Sequence, residues 1–371
     1  MKRVLTIGSA TVDIFLQQFD ARDVQRMQEP FPALCISEGV KIDAQQIHTT
    51  FGGGALNAAA TFLRQGHTVF PCFMIGRDHY GAMVLERLGQ YGINTQYHHV
   101  SSMSHTGTSI IIPSPRGNAS LLVYRGANND LTMSHLPREL YGEVDILYCA
   151  PLSGNAGNIL PVITQIMRPL CSLIVGCLNR YQATQWDVLK EALPFMDILC
   201  CNAHEARMLM DTLINNHCMR PQGPPQLHQS DHDVALPQLL HPWKSTHHGG
   251  YYLMQLAEYI TGLGTQMVII TNGAEGAYII TQEALFFQSL IPGPIVNTVG
   301  AGDAFAATFA GLYAEGSTIQ EALERSLINV AAVLHAPDAH EKLLMTEEIT
   351  TSQYRHQVAP LQHFTREVLI D

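Results

Sequence analysis

The sequence predicts an α/β protein: a doubly wound, mostly parallel sheet flanked by helices. Three observations carry that expectation. Short β-rich apolar runs alternate with longer stretches of helical periodicity. The strand runs are apolar throughout rather than at every second residue, as in sheets covered on both faces. Two irregular, turn-rich stretches, about 15–47 and 95–123, interrupt the rhythm and read as a small antiparallel flap beside the sheet.

Taken in order, Val4–Ile7 is the first buried strand. The opening MKRVLTIGSATVDIF imitates a signal peptide, but its apolar stretch is short and Asp13 follows at once. Asn57–Arg64 has helical spacing, Val69–Met74 is a strand and Tyr80–Gln90 a helix. Ser120–Val123 and Ile146–Cys149 are strands, followed by helix Asn158–Met167, strand Leu173–Val175, helix Ala183–Ala192 and strand Ile198–Cys201. After a polar excursion come helix Gln255–Thr261, strands Met267–Thr271 and Ala277–Ile280, and helices Ala304–Ala314 and Ile319–Ala332. Right-handed crossovers are expected between the parallel strands.

Composition narrows the function. The chain has 371 residues, 46% of them hydrophobic, enough for a substantial core. Against 32 Asp+Glu stand 21 Lys+Arg, a net charge of −11, which argues against nucleic acid as a partner. A small anion held by backbone N–H groups is still allowed. No run of about 18 apolar residues occurs, so no membrane span is expected. The eight cysteines lack C-x-x-C spacing and several sit in apolar runs, as expected of reduced core thiols in a cytoplasmic protein. The excursion, 213–250, is rich in Pro and holds six of the 18 histidines. His228 and His232 have i, i+4 spacing, but no tetrahedral ligand set surrounds them, and the stretch reads as a solvated loop insertion.

Two motifs carry chemistry. In FGGGALNAAATFLRQG three glycines precede a helix, and Asn57 in its first turn offers both a donor and an acceptor to a polyol. A tight turn with an Asn cap is the competing reading. In VNTVGAGDAFAATFAGLYAEG a helix begins near Gly302 or Asp303, with the amides of Gly300, Ala301, Gly302 and Asp303 at its positive end. Such a start binds phosphate, and a carboxylate there can take a proton from an attacking hydroxyl. A plain helix cap explains Asp303 equally well from spacing alone. Neither a P-loop nor a G-x-G-x-x-G fingerprint is present, since Phe305 takes the third glycine position.

Together these segments resemble the two signatures of the ribokinase-like (PfkB) carbohydrate kinase family. IGSATVDIF, YRGANNDL, DILCCNAHEA and VIITNGAEGA match further family segments in the family's order, so the resemblance spans nearly the whole chain. It implies one kinase domain, 1–371, whose two irregular stretches form a β lid, with 213–250 as an insertion. It implies transfer of the γ-phosphate of Mg-ATP to a hydroxymethyl group of a sugar, with a nucleoside as alternative acceptor and a non-catalytic sugar or nucleotide binder as a third reading. Phe15, Phe51 and Tyr124 leave the choice between sugar and nucleoside open. By matching position, Asp303 is the expected base and Gly300, Ala301 and Gly302 the anion hole. Asp13, Gly53, Gly54 and Asn57 are expected to hold the acceptor. Asn202 and Glu205 are expected to orient Mg²⁺ through water, and Thr271, Gly273, Gly276 and Asn329 to line the ATP site. Lid edges of the family leave a homodimer open.

The chain departs from the family pattern in places. Asn297 stands where Asp is usual, and the tail AAVLHAPDAHEKLL lacks the Gly-containing pattern of a monovalent-cation site, so no K⁺ is assigned. Cys177 replaces an Asp, with Arg180 directly after Asn179. Arg125 is a candidate for reaching the acceptor from the lid.

Overall fold

A computed structural model describes residues 1–17, 24–27, 33–113, 119–220, 227–229, 237–240, 243–245, 249–251 and 253–366. In chain order the strands are β1 (Arg3–Ile7), β2 (Thr11–Gln17), β3 (Val24–Met27), β4 (Ala33–Ile36), β5 (Gln46–Gly52), β6 (Thr68–Gly76), β7 (His98–Ser101), β8 (Gly107–Pro113), β9 (Ala119–Tyr124), β10 (Ile146–Cys149), β11 (Leu173–Cys177), β12 (Ile198–Asn202), β13 (Leu227–Gln229), β14 (Trp243–Ser245), β15 (Gly249–Tyr251), β16 (Met267–Thr271), β17 (Gly276–Ile280), β18 (Ala284–Ser289) and β19 (Gln362–Arg366). The helices are α1 (Gly54–Arg64), α2 (His79–Gln90), α3 (Ile159–Met167), α4 (Trp186–Ala192), α5 (Ala203–Asn215), α6 (Leu253–Gly262), α7 (Ala301–Ala314), α8 (Ile319–Leu334) and α9 (Thr346–Thr351).

Eleven strands form one sheet in the order β13-β19-β18-β17-β16-β12-β11-β10-β1-β6-β7. From β7 to β16 every neighbouring pair is parallel, and from β16 to β13 every pair is antiparallel. Alternate residues of each central strand enter different cores. Leu5, Leu147, Ile174 and Leu199 pack with helices α3 to α6, whereas Val4, Ile146, Val175 and Ile198 pack with α1, α7 and α8. Helices on both faces explain why the strand runs are apolar throughout.

Helix boundaries follow local chemistry. α1 starts at Gly54 rather than Asn57, because the glycine run itself turns into the helix. α4 starts at Trp186 rather than Ala183, because Gln182–Thr184 is a 3-10 turn. Asn179 Oδ1 accepts from Gln182 N there at 2.9 Å. The expected pattern omits α5, α9 and the strands β2 to β5, β7, β8, β13 to β15, β18 and β19.

A second, four-stranded sheet has the order β5-β2-β8-β9, with β2 and β8 parallel and the outer pairs antiparallel. It reaches beyond the stretches 15–47 and 95–123: β2 begins at Thr11 and β5 ends at Gly52. Part of the second stretch belongs elsewhere. β7 pairs in parallel with β6 at the edge of the main sheet, because β6–α2–β7 closes a strand–helix–strand unit. Of 213–250, residues 221–226, 230–236, 241–242 and 246–248, including His232, lie outside the described residues. The described remainder is not loop alone. Leu213–Asn215 end α5, β13 joins β19, and β14 pairs with β15.

Candidate active site

The carboxyl ends of the parallel strands open at a switch point, since the chain leaves β1 for β6 on one side and later adds β10 on the other. Crevices at such points are where open α/β sheets bind ligands. The N-terminus of α7 points into this crevice. Residues Ala304–Leu312 are buried on all sides, which the run of small and aromatic residues allows. Gly300 caps the helix with φ of 80°, a left-handed conformation that favours glycine, and a Cβ there would collide with Ala339. The turn therefore holds the first amides of α7 open toward the crevice.

Asp303 lies in the first turn of α7. Its Oδ2 accepts a hydrogen bond from Asn57 Nδ2 at 2.8 Å. Burial pushes its carboxyl up to about 6, the Asn57 bond opposes this, and Asp13 adds to the rise.

On one side of Asp303 is a cleft of about 360 Å³, lined by Ser9, Asp13, Gly54, Asn57, Ser109 and Arg125 among others. Asp13 is buried on β2. Burial raises its carboxyl, while hydrogen bonds from Thr11 (2.9 Å) and Ser109 oppose the rise. The glycine run serves the protein's own packing as well as the cleft. Gly53 has φ of 96° and lies so close to the Ser9 carbonyl that no Cβ fits. Ser9 Oγ then accepts from Gly54 N at 3.0 Å. Asn128 staples the β1–β2 turn, accepting from Ala10 N at 2.8 Å and donating to Ala10 O at 2.9 Å. Phe15 and Phe51 are buried, Tyr124 is exposed, and none of the three lines this cleft.

On the other side lies a cavity of about 190 Å³, lined by Asn202, Glu205, Thr271, Gly302 and the thiols Cys177, Cys200 and Cys201 among others. Asn202 and Glu205 form a reciprocal cap on α5, with both hydrogen bonds at 2.9 Å. Burial pushes Glu205 up to about 7; its bonds with Asn202 and the nearby Arg180 oppose this, and Asp303 adds to the rise. Gly300 and Asp303 line both spaces, so the helix start is their common wall.

Three of the residues expected at the nucleotide lie apart from these two spaces. Gly273 and Gly276 line neither space. Gly276 begins β17 opposite Ser289, where a Cβ would strike the Gln288 carbonyl. Asn329 is fully buried, donates to Thr308 Oγ1 at 2.8 Å and accepts from Leu344 N at 2.9 Å, so its polar groups knit α7, α8 and the following loop. Next to Gly273, a groove of about 220 Å³ is lined by Ala274, Leu290–Ile295, Ala331, Leu334 and His335. Asn297, the departure from the family pattern, donates to Pro337 O at 3.0 Å and ties the α7 loop directly to the tail.

Sequence reasoning also overlooked Ser9, Ser109, Asn128 and His340. His340 lies 2.9 Å from Asn57 Oδ1. Ser9 and Asn128 fall inside the family segments, whereas His340 falls in the tail AAVLHAPDAHEKLL, which departs from the family pattern and marks no site.

A doubly wound sheet with two spaces meeting at a glycine-opened helix start, and a carboxylate in their shared wall, defines a group-transfer enzyme for small molecules. The chain belongs to the pfkB family of carbohydrate kinases, whose profile matches residues 1–230 and 252–334. It is 25% identical over 329 residues to the ribokinase of Bacillus subtilis, covering 87% of this chain and 89% of the relative. The structure of Arabidopsis thaliana ribokinase complexed with ribose and ATP superposes with a TM-score of 0.68 at 19% identity, over 94% of this chain and 98% of that one. A Burkholderia thailandensis nucleoside kinase in complex with inosine has a TM-score of 0.65 at 14% identity, over 95% and 98% of the two chains. Among the described residues no helix is long and apolar enough to cross a membrane.

Proposed function

We propose that the protein transfers the γ-phosphoryl group of ATP to a hydroxymethyl group of a sugar. One observation carries the reading: Asp303 and Gly300 form the wall between a polar cleft and a second cavity that carries acidic and hydroxyl side chains. A hydroxyl in the cleft and a phosphoryl group in the cavity would meet there. Asp303 accepts the hydroxyl proton, and the amides opening α7 take up charge on the transferred group. Asp13 and Asn57 hold the acceptor. The family resemblance and the capped α5 start support a Mg²⁺ role for Asn202 and Glu205, whose oxygens suit a hard cation. When bound, Mg²⁺ supplies charge neutralisation on the polyphosphate. The small sheet, which contributes Asp13, Ser109, Leu121 and Val123 to the cleft, acts as the lid that excludes water.

The absence of Phe15, Phe51 and Tyr124 from the cleft wall favours a sugar over a nucleoside. Leu121 and Val123 are the apolar surface a nucleobase would use, which keeps nucleosides in the test. Exposed Leu122 and Tyr124, which alternate along β9 with the cleft-lining Leu121 and Val123, offer a surface for a second copy of the chain. The buried thiols Cys72, Cys149, Cys177, Cys200 and Cys201 fit a reducing cytoplasm.

The test is ADP release with Mg-ATP over a panel of pentoses, hexoses, sugar phosphates and nucleosides, alongside direct binding. A sugar-dependent rate is expected. Saturable sugar binding with no turnover across the panel would make the protein a binder, and a rate confined to nucleosides would change the acceptor.

A further inference from the structure

Asn57 is gripped at both ends. Its Nδ2 donates to Asp303 Oδ2 at 2.8 Å, and its Oδ1 lies 2.9 Å from His340 Nε2. A carboxamide oxygen only accepts, so the His340 ring must carry a proton on Nε2. If the amide were turned over, its oxygen would face the Asp303 carboxylate and its NH₂ would face the imidazole N–H. Both contacts would then repel.

The ring itself is built in. His340 is 4% exposed, stacked on Phe51 with centroids 4.1 Å apart and set edge-on to Tyr91 at 5.9 Å. Its backbone N–H donates to Asp338 Oδ1 at 2.8 Å. Its buried Nδ1 has no hydrogen-bond partner among the described residues. A lone pair is tolerable there, whereas an imidazolium would bury an unpaired N–H. Asp338, Arg87 and Tyr91 are the titratable groups around the ring. Burial pushes it down to about 4, Asp338 opposes this and Arg87 adds to it. Around Asp303 stand Asp13 from β2, Tyr148 from β10 and Glu205 from α5, with Arg125 lining the same cleft.

We propose that His340 is a positioning residue: as the Nε2–H tautomer it locks the Asn57 carboxamide so that its NH₂ holds the Asp303 carboxylate in place for the acceptor hydroxyl. This rests on Asp303 being the base, as proposed above. It adds a residue that touches neither substrate and acts through Asn57.

The experiment compares wild type, His340→Leu and His340→Gln in kcat, KM and the pH dependence of kcat/KM on the preferred acceptor, with melting temperatures. In the leucine variant Asn57 is free to turn, and Asp303 loses the donor that favours its ionised form. The acid limb of kcat/KM then moves about half to one pH unit higher, and kcat falls about tenfold at neutral pH. Glutamine can donate its side-chain N–H to Asn57 Oδ1, so His340→Gln restores the wild-type limb. A leucine variant with wild-type kcat and an unmoved limb overturns the role, as does a folded glutamine variant no better than leucine. In wild type, ¹⁵N imidazole NMR should show a neutral Nε2–H ring, and an Nδ1–H ring overturns the proposal whether or not any acceptor is turned over. No turnover by wild type on any acceptor would instead remove Asp303 as the base, and the positioning role with it.

Discussion

Replacing Asp303 by Asn separates the chemistry of the carboxylate from the cost of holding it. Burial carries that carboxyl from 3.8 to about 6. If it is the base, kcat/KM at pH 6 should be roughly half its plateau and at pH 5 roughly a tenth. Asparagine cannot take the proton, so kcat should fall about 10²- to 10⁴-fold across the range. Stability moves the other way. The folded state holds this proton more tightly than the unfolded one, so stability falls as pH rises through the window from 3.8 to about 6 and stays lower above it. At about 1.4 kcal/mol per pH unit, ionised Asp303 costs the fold at most about 3 kcal/mol at pH 7.5. Asparagine escapes that cost, and its carbonyl can still accept from Asn57. The variant should therefore melt above wild type at pH 7.5, with the gap closing as pH approaches 4. Coupled-assay kinetics and calorimetric melting over pH 4.5–8 read both effects. Near-normal turnover, a wild-type plateau persisting to pH 5, or a variant that melts lower at pH 7.5 would each refute the reasoning.

Further substitutions separate scaffold from site. Gly300→Ala puts a methyl on a left-handed residue and against Ala339, and should lower both the melting temperature and kcat, the latter by more than about tenfold. Gly302→Ala meets nothing within 4 Å, so stability should hold or rise by up to the helix propensity of about 1 kcal/mol, read as an unchanged or higher melting temperature. Asn329→Ala should destabilise by about 1–3 kcal/mol in urea titrations. Its KM for ATP should stay within about twofold of wild type, and a large KM effect would restore Asn329 to the nucleotide site. Arg125→Ala removes a half-buried guanidinium from the cleft and should raise the acceptor KM about tenfold without changing the KM for ATP.

The legible parts of this chain are those whose signal is local. Continuous apolar strands, helical periodicity and glycine turns locate β1, β10, β11, β12, β16 and most helices within a few residues. α5 has equally clear spacing at Ala206, Leu209, Met210, Leu213 and Ile214, but its start, Asn202 and Glu205, competes as a ligand motif. The capping box shows that one pair of residues satisfies the helix and faces the cavity together. Illegible parts depend on distant partners. β19 is a short polar run that becomes a strand only because β18 and β13 flank it. Asn329 reads as a polar residue on a helix until Thr308 and Leu344 are seen to occupy it. His340 sits in a loop, 283 positions from the Asn57 it contacts, with nothing nearby to mark it.

The acidic balance acquires a physical meaning at the site. Asp303 and Glu205 line the same small cavity, each is raised by burial, and Asp303 raises Glu205 further, with Asp13 acting on Asp303 from across the wall. Such a site disfavours a bare polyanion: every phosphate oxygen brought in adds to charge that the protein already struggles to hold ionised. The amides opening α7 offset only part of this, because a helix end carries about half an elementary charge. Carboxylates and phosphates become compatible when a divalent cation lies between them. The net charge of −11 is then no obstacle to handling a nucleotide. The carboxylates of the cavity, rather than the net charge, favour a divalent-cation complex over the free polyphosphate.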